Sequence, residues 1–451
     1  MEISLKEFYF LLKKIEEQEE LFEMKIQNVY FWKIIRFKLY NEMLFKLGIS
    51  EKKNEKNKLS KIKYLYDIIL TTVKKNNNKK DVLFLEPGRV FYEEGKIKSI
   101  YFYEIIEKIE DKKISYDIFY FNEYGKTAKK IKNIKYDKNI WYVFYKIYFF
   151  MKKIKISFAE EEELKRIRTK LSLKIKVENI DVLEKINVEK IITRYKEDYY
   201  YYTKLFKEKE LKRIYLVCSY GKEGLISAAL DLGIKVIELQ HGIINKYCSG
   251  YNFYNNKFIH YIPNEIYLFG KYWAEFKNFP KNLKKEIYGY PYLKKQLLKY
   301  KNIDKKLDQV IFISQWLIGK KLSEKAVEFA LNNSEIKVIF RLHPIEFTYW
   351  KREYKKLFKY SNLKNLEVSD SNNKNLYEYL TESKYLISTG STVVYEALEL
   401  GLKVGIIKLT NWEYMEELIK NNIVHLFEEN EIVDLKKLGE LKDLEKGYFF
   451  K

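Results

Sequence analysis

Between residues 213 and 409 short apolar runs alternate with amphipathic stretches, and this alternation limits the fold more than any other feature of the chain. RIYLVCS (213–219) reads as a strand, YGKEG as the turn after it, LISAALDLGI (225–234) as a short helix and KVIELQ (235–240) as the next strand. This is a β-α-β unit of roughly the usual 30 residues. EIYLFG (265–270) adds a further strand. After YGYPY (288–292) the chain turns polar, LKKQLLKYKNIDKKLD, and a second set follows. Its strands are QVIFIS, KVIFRLHP, NLEVS, KYLIS and KVGIIKL. Its helices are KLSEKAVEFALNN, residues 347–360, LYEYLTES and STVVYEALELG. Strands alternating with helices imply parallel, doubly wound sheets. The expected class is therefore α/β, with two Rossmann-like domains whose parallel sheets face a central cleft. Ligands in such sheets bind beyond the carboxyl ends of the strands.

Upstream of these sets the pattern is helical. VYFWKIIRFKLYNEMLFKLGI (29–49) mixes aromatic, aliphatic and basic residues at helical spacing. It is either a buried helix or one lying on a membrane. EKKNEKNKLSKIK (51–63) and KKNNNKK (74–80) are polar breaks. DVLFLEPGR (81–89) and SYDIFYF (115–121) read as strands, and residues 125–210 are Lys-rich and helical in pattern. The expected division is a helical region over 1–75, an acceptor-side Rossmann-like domain over 76–300 and a donor-side one over 301–451. IWYVFYKIYFFM (140–151) is too short to span a bilayer and contains Lys146. With no signal-peptide pattern at MEISLKEFYF, a cytoplasmic protein is expected.

Hydrophobic residues make up 47% and charged residues 33%, so a sizeable core is expected and global disorder is not. Cys218 and Cys248 suit a reducing compartment as free thiols. The formal charge is +22. Compositional drift toward Lys, Asn, Ile and Tyr accounts for it, or else attraction to an anionic partner, a membrane surface or a phosphorylated substrate. Nucleic acid is not expected as a partner, because no binding signature is present and the Lys residues are dispersed.

Polar residues stand where the strands run out. KVIFRLHP ends in Arg341, His343 and Pro344. KYLIS ends in Ser388, followed by Thr389, Gly390, Ser391 and Thr392 as a helix begins. Unpaired N–H groups at a helix start, with a glycine and small hydroxyls in the turn, admit a phosphate. Each piece alone is also an ordinary turn or cap; their conjunction points to an anion site. In the first set KVIELQHG places Gln240, His241 and Gly242 at a strand end. His260 and His425 have no such setting and read as structural or surface residues.

RLHP followed by STGSTVVYEAL resembles the C-terminal half of bacterial GT-B glycosyltransferases that build surface polysaccharides. Sialyl-, polysialyl- and Kdo transferases carry similar His-Pro and Ser-Ser/Thr motifs. LQHG is similar to the first-half His-Gly motif of teichoic-acid CDP-glycerol glycerophosphotransferases, which also have an Arg-x-His-Pro strand end. The resemblance covers about residues 210–410. It implies a GT-B-like fold and a cytoplasmic, metal-independent glycosyltransferase without cofactor, and the basic charge and aromatic-rich N-terminal helices suit a peripheral place at the inner face of the plasma membrane. The implied donor is a CMP- or CDP-activated sugar. The implied acceptor is a glycan or a lipid-linked chain of a capsule, an O-antigen or another surface polymer. It further implies His343, Ser388, Thr389, Ser391 and Thr392 as donor-phosphate ligands with Arg341 nearby. Glu396, one helical turn past Thr392, is placed for a ribose or base, or serves as an inward cap partner. No Asp-x-Asp and no ligand-spaced His/Asp cluster is present, in agreement.

Transfer to an acceptor hydroxyl requires a proton acceptor. His241 and Glu223 are the candidates, and His241 is favoured because imidazole titrates near neutral pH. KEG is half of the paired-acid-plus-Gly motif of sialyltransferases, with Lys222 in place of the first acid. Asn245, Lys246 and Tyr251 are placed on the acceptor side by their nearness in sequence. Glycerophosphate transfer on the same fold, and a non-catalytic assembly component, are the alternative functions.

Overall fold

A computed structural model describes residues 4–46, 79–120, 135–136, 138, 140–175, 187–253, 257–300, 307–316, 318–371, 373–442 and 444–451. They fall into two compact units. The first is drawn from the chain up to Leu268 and from Phe276–Pro291, the second from Phe269–Glu275 and Tyr292–Lys451.

The first unit is built on a seven-stranded sheet. Its strands are β1 (Val82–Glu86), β2 (Tyr116–Tyr120), β3 (Lys135–Tyr136), β4 (Arg213–Val217), β5 (Lys235–Leu239), β6 (Glu265–Leu268) and β7 (Lys284–Ile287). Their order is β7-β6-β5-β4-β1-β2-β3, and every neighbouring pair is parallel. The central strands are buried on both faces, which is why they read as unbroken apolar runs. Leu83, Leu85, Ile214, Leu216 and Val236 face helices α6 (Val188–Lys209) and α7 (Glu223–Asp231) through Tyr202, Phe206, Leu225 and Ile226. Val82, Phe84, Tyr215, Val217, Ile237 and Leu239 face α3 (Tyr103–Asp111) through Ile105 and Ile109. Gly224 lets α7 seat against α6, since a Cβ there would lie 2.7 Å from the Tyr195 carbonyl oxygen.

The second unit holds a six-stranded sheet of β8 (Leu307–Ile313), β9 (Lys337–Arg341), β10 (Leu366–Ser369), β11 (Ser383–Ser388), β12 (Lys403–Ile407) and β13 (His425–Phe427). Its order is β10-β9-β8-β11-β12-β13, again parallel throughout. In both sheets the first strand is central, the next two lie to one side and the remainder to the other. That is the Rossmann order. These are the two Rossmann-like parallel sheets that a GT-B-like chain requires. The order reverses between β1 and β4 in one sheet and between β8 and β11 in the other.

An N-terminal helical pair, α1 (Leu5–Gln18) and α2 (Phe31–Lys46), belongs to the first unit. A two-residue ladder, Lys25–Ile26 with Val29–Tyr30, joins them, so the helix expected from Val29 starts at Phe31. Phe31, Trp32, Ile35, Leu39, Tyr40 and Met43 are all buried, so of the two readings of this helix the buried one holds.

The helix expected over 347–360 is instead two short helices, Trp350–Glu353 and Lys355–Tyr360. Tyr354 leaves helical geometry between them, and its hydroxyl donates to the buried Glu346 carboxylate at 2.5 Å. Pattern alone passed over β3, which lies in the stretch read as helical, as well as β7, β13 and the antiparallel hairpin Val90–Glu93/Lys96–Ser99. The polar break over 51–63, most of KKNNNKK, and residues 47–49, 121, 125–134 and 176–186 lie outside the described residues.

Candidate functional site

In the first unit the strand order reverses between the ends of β1 and β4. β1 closes on Glu86, whose buried carboxylate accepts the N–H groups of Gly88 and Arg89 at 2.9 Å each. Burial pushes this carboxyl up to about 7. β4 closes on Cys218, which takes a left-handed φ of 63°, and then Ser219 and Tyr220. Lys222 folds back so that its ammonium donates to the carbonyls of Val217 and Cys218.

His241, just past β5, lies between two tyrosines. Tyr220 Oη is 3.2 Å from its Nε2 and Tyr251 Oη is 3.3 Å from its Nδ1. The tautomer follows from the next bond along. Tyr251 donates its one hydroxyl hydrogen to Glu238 Oε1 at 2.6 Å, and Ser219 N–H donates to the same oxygen at 3.0 Å. Tyr251 oxygen is then left to accept from Nδ1–H, so Nε2 carries the lone pair. Burial, then the positive charges of Lys222 and Arg89, hold the imidazole down at about 4. The ring is therefore neutral at physiological pH. Gln240 is fully buried and clamps the turn by donating to the Gly242 carbonyl at 2.9 Å. Asn245 accepts from Tyr247 N–H within the same loop, and Lys246 lies over the Tyr247 ring.

Helix α2 covers this loop. Arg36 pairs with Glu16 of α1, Nε to Oε1 at 2.5 Å and Nη2 to Oε2 at 3.1 Å. Its Nη1 donates to the Ser249 carbonyl, and its guanidinium lies 5.4 and 5.3 Å from the rings of Phe22 and Phe253. Tyr40 donates to the Tyr247 carbonyl at 2.9 Å, and Phe37 stacks on Tyr220 with centroids 4.1 Å apart. Lys33 reaches Glu223, Nζ to Oε1 at 3.0 Å, and the Gly221 N–H donates to that same oxygen at 3.1 Å. Glu223 is thus engaged in anchoring α2 and the turn ahead of α7. His260 stacks on Tyr30, and His425 opens β13.

In the second unit the reversal lies between the ends of β8 and β11. Ser388 is buried and donates to the Ile313 carbonyl at 3.2 Å. Thr389 is fully buried, and its hydroxyl has no hydrogen-bond partner among the described residues. Gly390 sits against the Asn411 carbonyl, 2.2 Å from where a Cβ would fall. Ser391 caps helix α11 (Thr392–Glu399), accepting from Val393 N–H at 3.3 Å. Glu396 lies buried on that helix, and burial pushes its carboxyl up to about 7.

On the other side of β8, His343 and Pro344 are exposed at the end of β9. The fully buried Glu346 sets their turn. It accepts His343 N–H at 2.5 Å and the Ser314 hydroxyl at 2.9 Å. His343 Nδ1 accepts from Ile345 N–H at 3.3 Å, which leaves Nε2–H as the neutral ring's donor. Arg341 is directed to the β10 side, where its Nη1 donates to Ser369 Oγ at 2.6 Å and to the Ser371 carbonyl.

Glu238, Tyr220, Glu346, Lys33 and Arg36 were not singled out from sequence. For Glu238 a signal existed, a carboxylate inside an apolar strand. The others depend on contacts distant along the chain.

No protein-family model and no curated protein matches the sequence. Solved structures with a similar course include a UDP-GlcNAc 2-epimerase of Methanocaldococcus jannaschii in complex with UDP-GlcNAc and UDP. It is 12% identical with a TM-score of 0.47, over 82% of this chain and 95% of that one. The Neisseria meningitidis enzyme bound to UDP-GlcNAc is 13% identical with a TM-score of 0.48, over 82% and 95%. MurG of Acinetobacter baumannii is 11% identical with a TM-score of 0.44, over 80% and 89%. The fold assignment rests on the strand order described above.

Proposed function

We propose that this chain is a GT-B-like glycosyltransferase. Its donor is a nucleotide-activated sugar, CMP- or CDP-linked, and it extends a bacterial surface polysaccharide on a glycan or lipid-linked acceptor, without resident metal or cofactor. The observation that carries this reading is the turn after β11. A buried, unpartnered Thr389 hydroxyl, a glycine and a capped helix start coincide there with the reversal of strand order. Such positions bind phosphorylated ligands. In this reading Thr389, Gly390, Ser391 and Thr392 take the donor phosphate, and His343 Nε2–H donates to it. Ser388 and Arg341 brace the strand ends, and Glu396 serves the nucleoside.

The proton of the acceptor hydroxyl goes to His241 Nε2, where that hydroxyl takes the place of the Tyr220 hydroxyl 3.2 Å away. As the acceptor oxygen bonds to the anomeric carbon, the bond to the leaving phosphate breaks and the nucleotide departs with its electron pair. The Tyr251–Glu238 pair stabilises the imidazolium through Nδ1–H. An anion arriving beside Lys222 and Arg89 offsets the two charges that depress the ring, which strengthens the base when substrate is bound.

A thermal-shift panel of CMP, CDP, UMP, UDP, GDP and dTDP on the wild type, His343→Ala and Thr389→Val tests the donor side. Ligand at about 100 times its Kd adds about 2.7 kcal/mol to the folded state. Cytidine nucleotides are expected to raise Tm in the wild type and much less in the variants. A uridine or guanosine preference overturns the cytidine assignment, and no shift with any nucleotide overturns the reading. Transfer from CDP-glycerol but from no nucleotide sugar reassigns the chemistry to phosphorus.

A further inference from the structure

Helix α4 (Ile140–Lys152) is anchored by one edge only. Tyr142 and Phe149 are buried, with ring centroids 5.4 Å from Tyr201 and 5.6 Å from Tyr200 of α6. Tyr145 is half-buried against the same core, and the other aromatic side chains face outward. Trp141, Phe144, Ile147, Tyr148, Phe150 and Met151 are between 44% and 77% exposed. Phe158, which opens the following helix α5 (Phe158–Ile175), is 80% exposed. Residues 141, 144, 148 and 151 recur at helical spacing and form one face.

The charge along α4 and the linker after it is positive, and it is bordered by Asp198 of α6, which pairs with Lys138 at 2.8 Å, and by the four Glu of residues 160–163 in α5. From Lys138 to Phe158 the chain contains no Asp or Glu, and Lys146, Lys152, Lys153 and Lys155 are all exposed. Lys204 of α6 lies 3.8 Å from the Trp141 ring centroid. A helix of 13 residues is about 20 Å long. That is short of the ~30 Å hydrocarbon core, and among the described residues no helix is long and apolar enough to cross a membrane. Trp, Tyr and Phe with flanking Lys suit the boundary between headgroups and acyl chains, where rings sink and ammonium groups stay wet.

We propose that α4, with the lysine-bearing linker of residues 153–157 and Phe158, is a docking face for the surface of a bilayer rich in anionic lipid. The aromatic side chains enter the interface, and the lysines pair with lipid phosphates. This inference stands apart from the donor chemistry, so either can fail without the other.

The test is co-sedimentation of the full chain with vesicles of phosphatidylcholine alone or with 30% phosphatidylglycerol. The wild type is expected to bind the anionic vesicles at least tenfold more tightly, and less so as salt rises. Phe144→Ser/Phe150→Ser/Met151→Ser and, separately, Lys152→Gln/Lys153→Gln should each lower that partitioning about tenfold or more. Unchanged melting curves show that both variants are folded. Equal binding to both vesicle types, or variants that bind as the wild type does, overturns the proposal. So does a wild-type dimer in sedimentation velocity that the aromatic variant abolishes while no vesicle is bound, because the face then belongs to a second copy.

Discussion

Arg36→Met tests whether the N-terminal helices hold the loop that carries His241. The Arg36 side chain is 2% exposed and Glu16 is 1% exposed. Methionine keeps most of the stem volume but strips the charge. Glu16 keeps a hydrogen bond from the Trp32 indole N–H at 2.8 Å, and the Ser249 carbonyl loses the Arg36 donor. Removing one member of a buried ion pair costs about 3–5 kcal/mol, because the remaining charge stays out of water without its partner. At roughly 2–4 °C per kcal/mol for a domain of this order, Tm falls by on the order of 10 °C. The measurement is calorimetric unfolding of the wild type, Arg36→Met, Glu16→Leu and the double variant. A chain of two units need not melt in one transition, so the quantity read is the displacement of the transition that moves. Because an apolar replacement of both partners removes the uncompensated charge, the double variant should be more stable than either single one. Transfer activity should follow the same order, since Ser249 lies in the loop that follows His241. Single variants that lose less than about 1 kcal/mol, or a double variant as damaged as the sum of the two, would refute the reasoning.

Other outcomes follow from the two strand-end clusters. His241 titrates below its ordinary 6.5, at about 4, so below pH 6.5 the unfolded chain binds the proton that the folded chain refuses. Its contribution is therefore full above pH 6.5 and is lost by about 3 kcal/mol as pH falls to 4. In urea melts across that range His241→Gln should flatten this acid limb, and an unchanged slope would count against it. His241→Ala should lower kcat about 10²- to 10⁴-fold, with a smaller effect on donor Kd measured by titration. Tyr251→Phe removes the acceptor for Nδ1–H, and ¹⁵N spectra of the ring should show the proton redistributed toward Nε2; an unaltered spectrum would refute the relay. Gly390→Ala places a Cβ against the Asn411 carbonyl, so the turn must shift, and the nucleotide thermal shift should be lost before the fold is.

The central strands of both sheets were legible because parallel strands buried on two faces must be apolar throughout. The polar residues that end them were legible for the complementary reason, since apolar runs stop where backbone meets solvent or ligand. Boundaries failed where a distant contact overrode the local pattern. Tyr354 breaks a helical stretch to satisfy a buried carboxylate, and β13 at the far edge of its sheet is only three residues long. Glu223 and His241 look equivalent in sequence, each a polar group at a strand end. The fold separates them by bringing Lys33, some 190 residues earlier, onto Glu223, while His241 receives two phenols.

Alternation of strand and helix, the placement of His241, His343 and the Ser-Thr-Gly turn at strand ends, and the amphipathic character of α2 are determined by the sequence, because each depends on neighbours within a few residues. Strand order is not, and with it go the two points at which that order reverses, the tautomer imposed on His241 by Tyr251 and Glu238, and the burial of Arg36 on Glu16. These depend on which elements meet in space, and packing settles that only when the whole unit closes around its core.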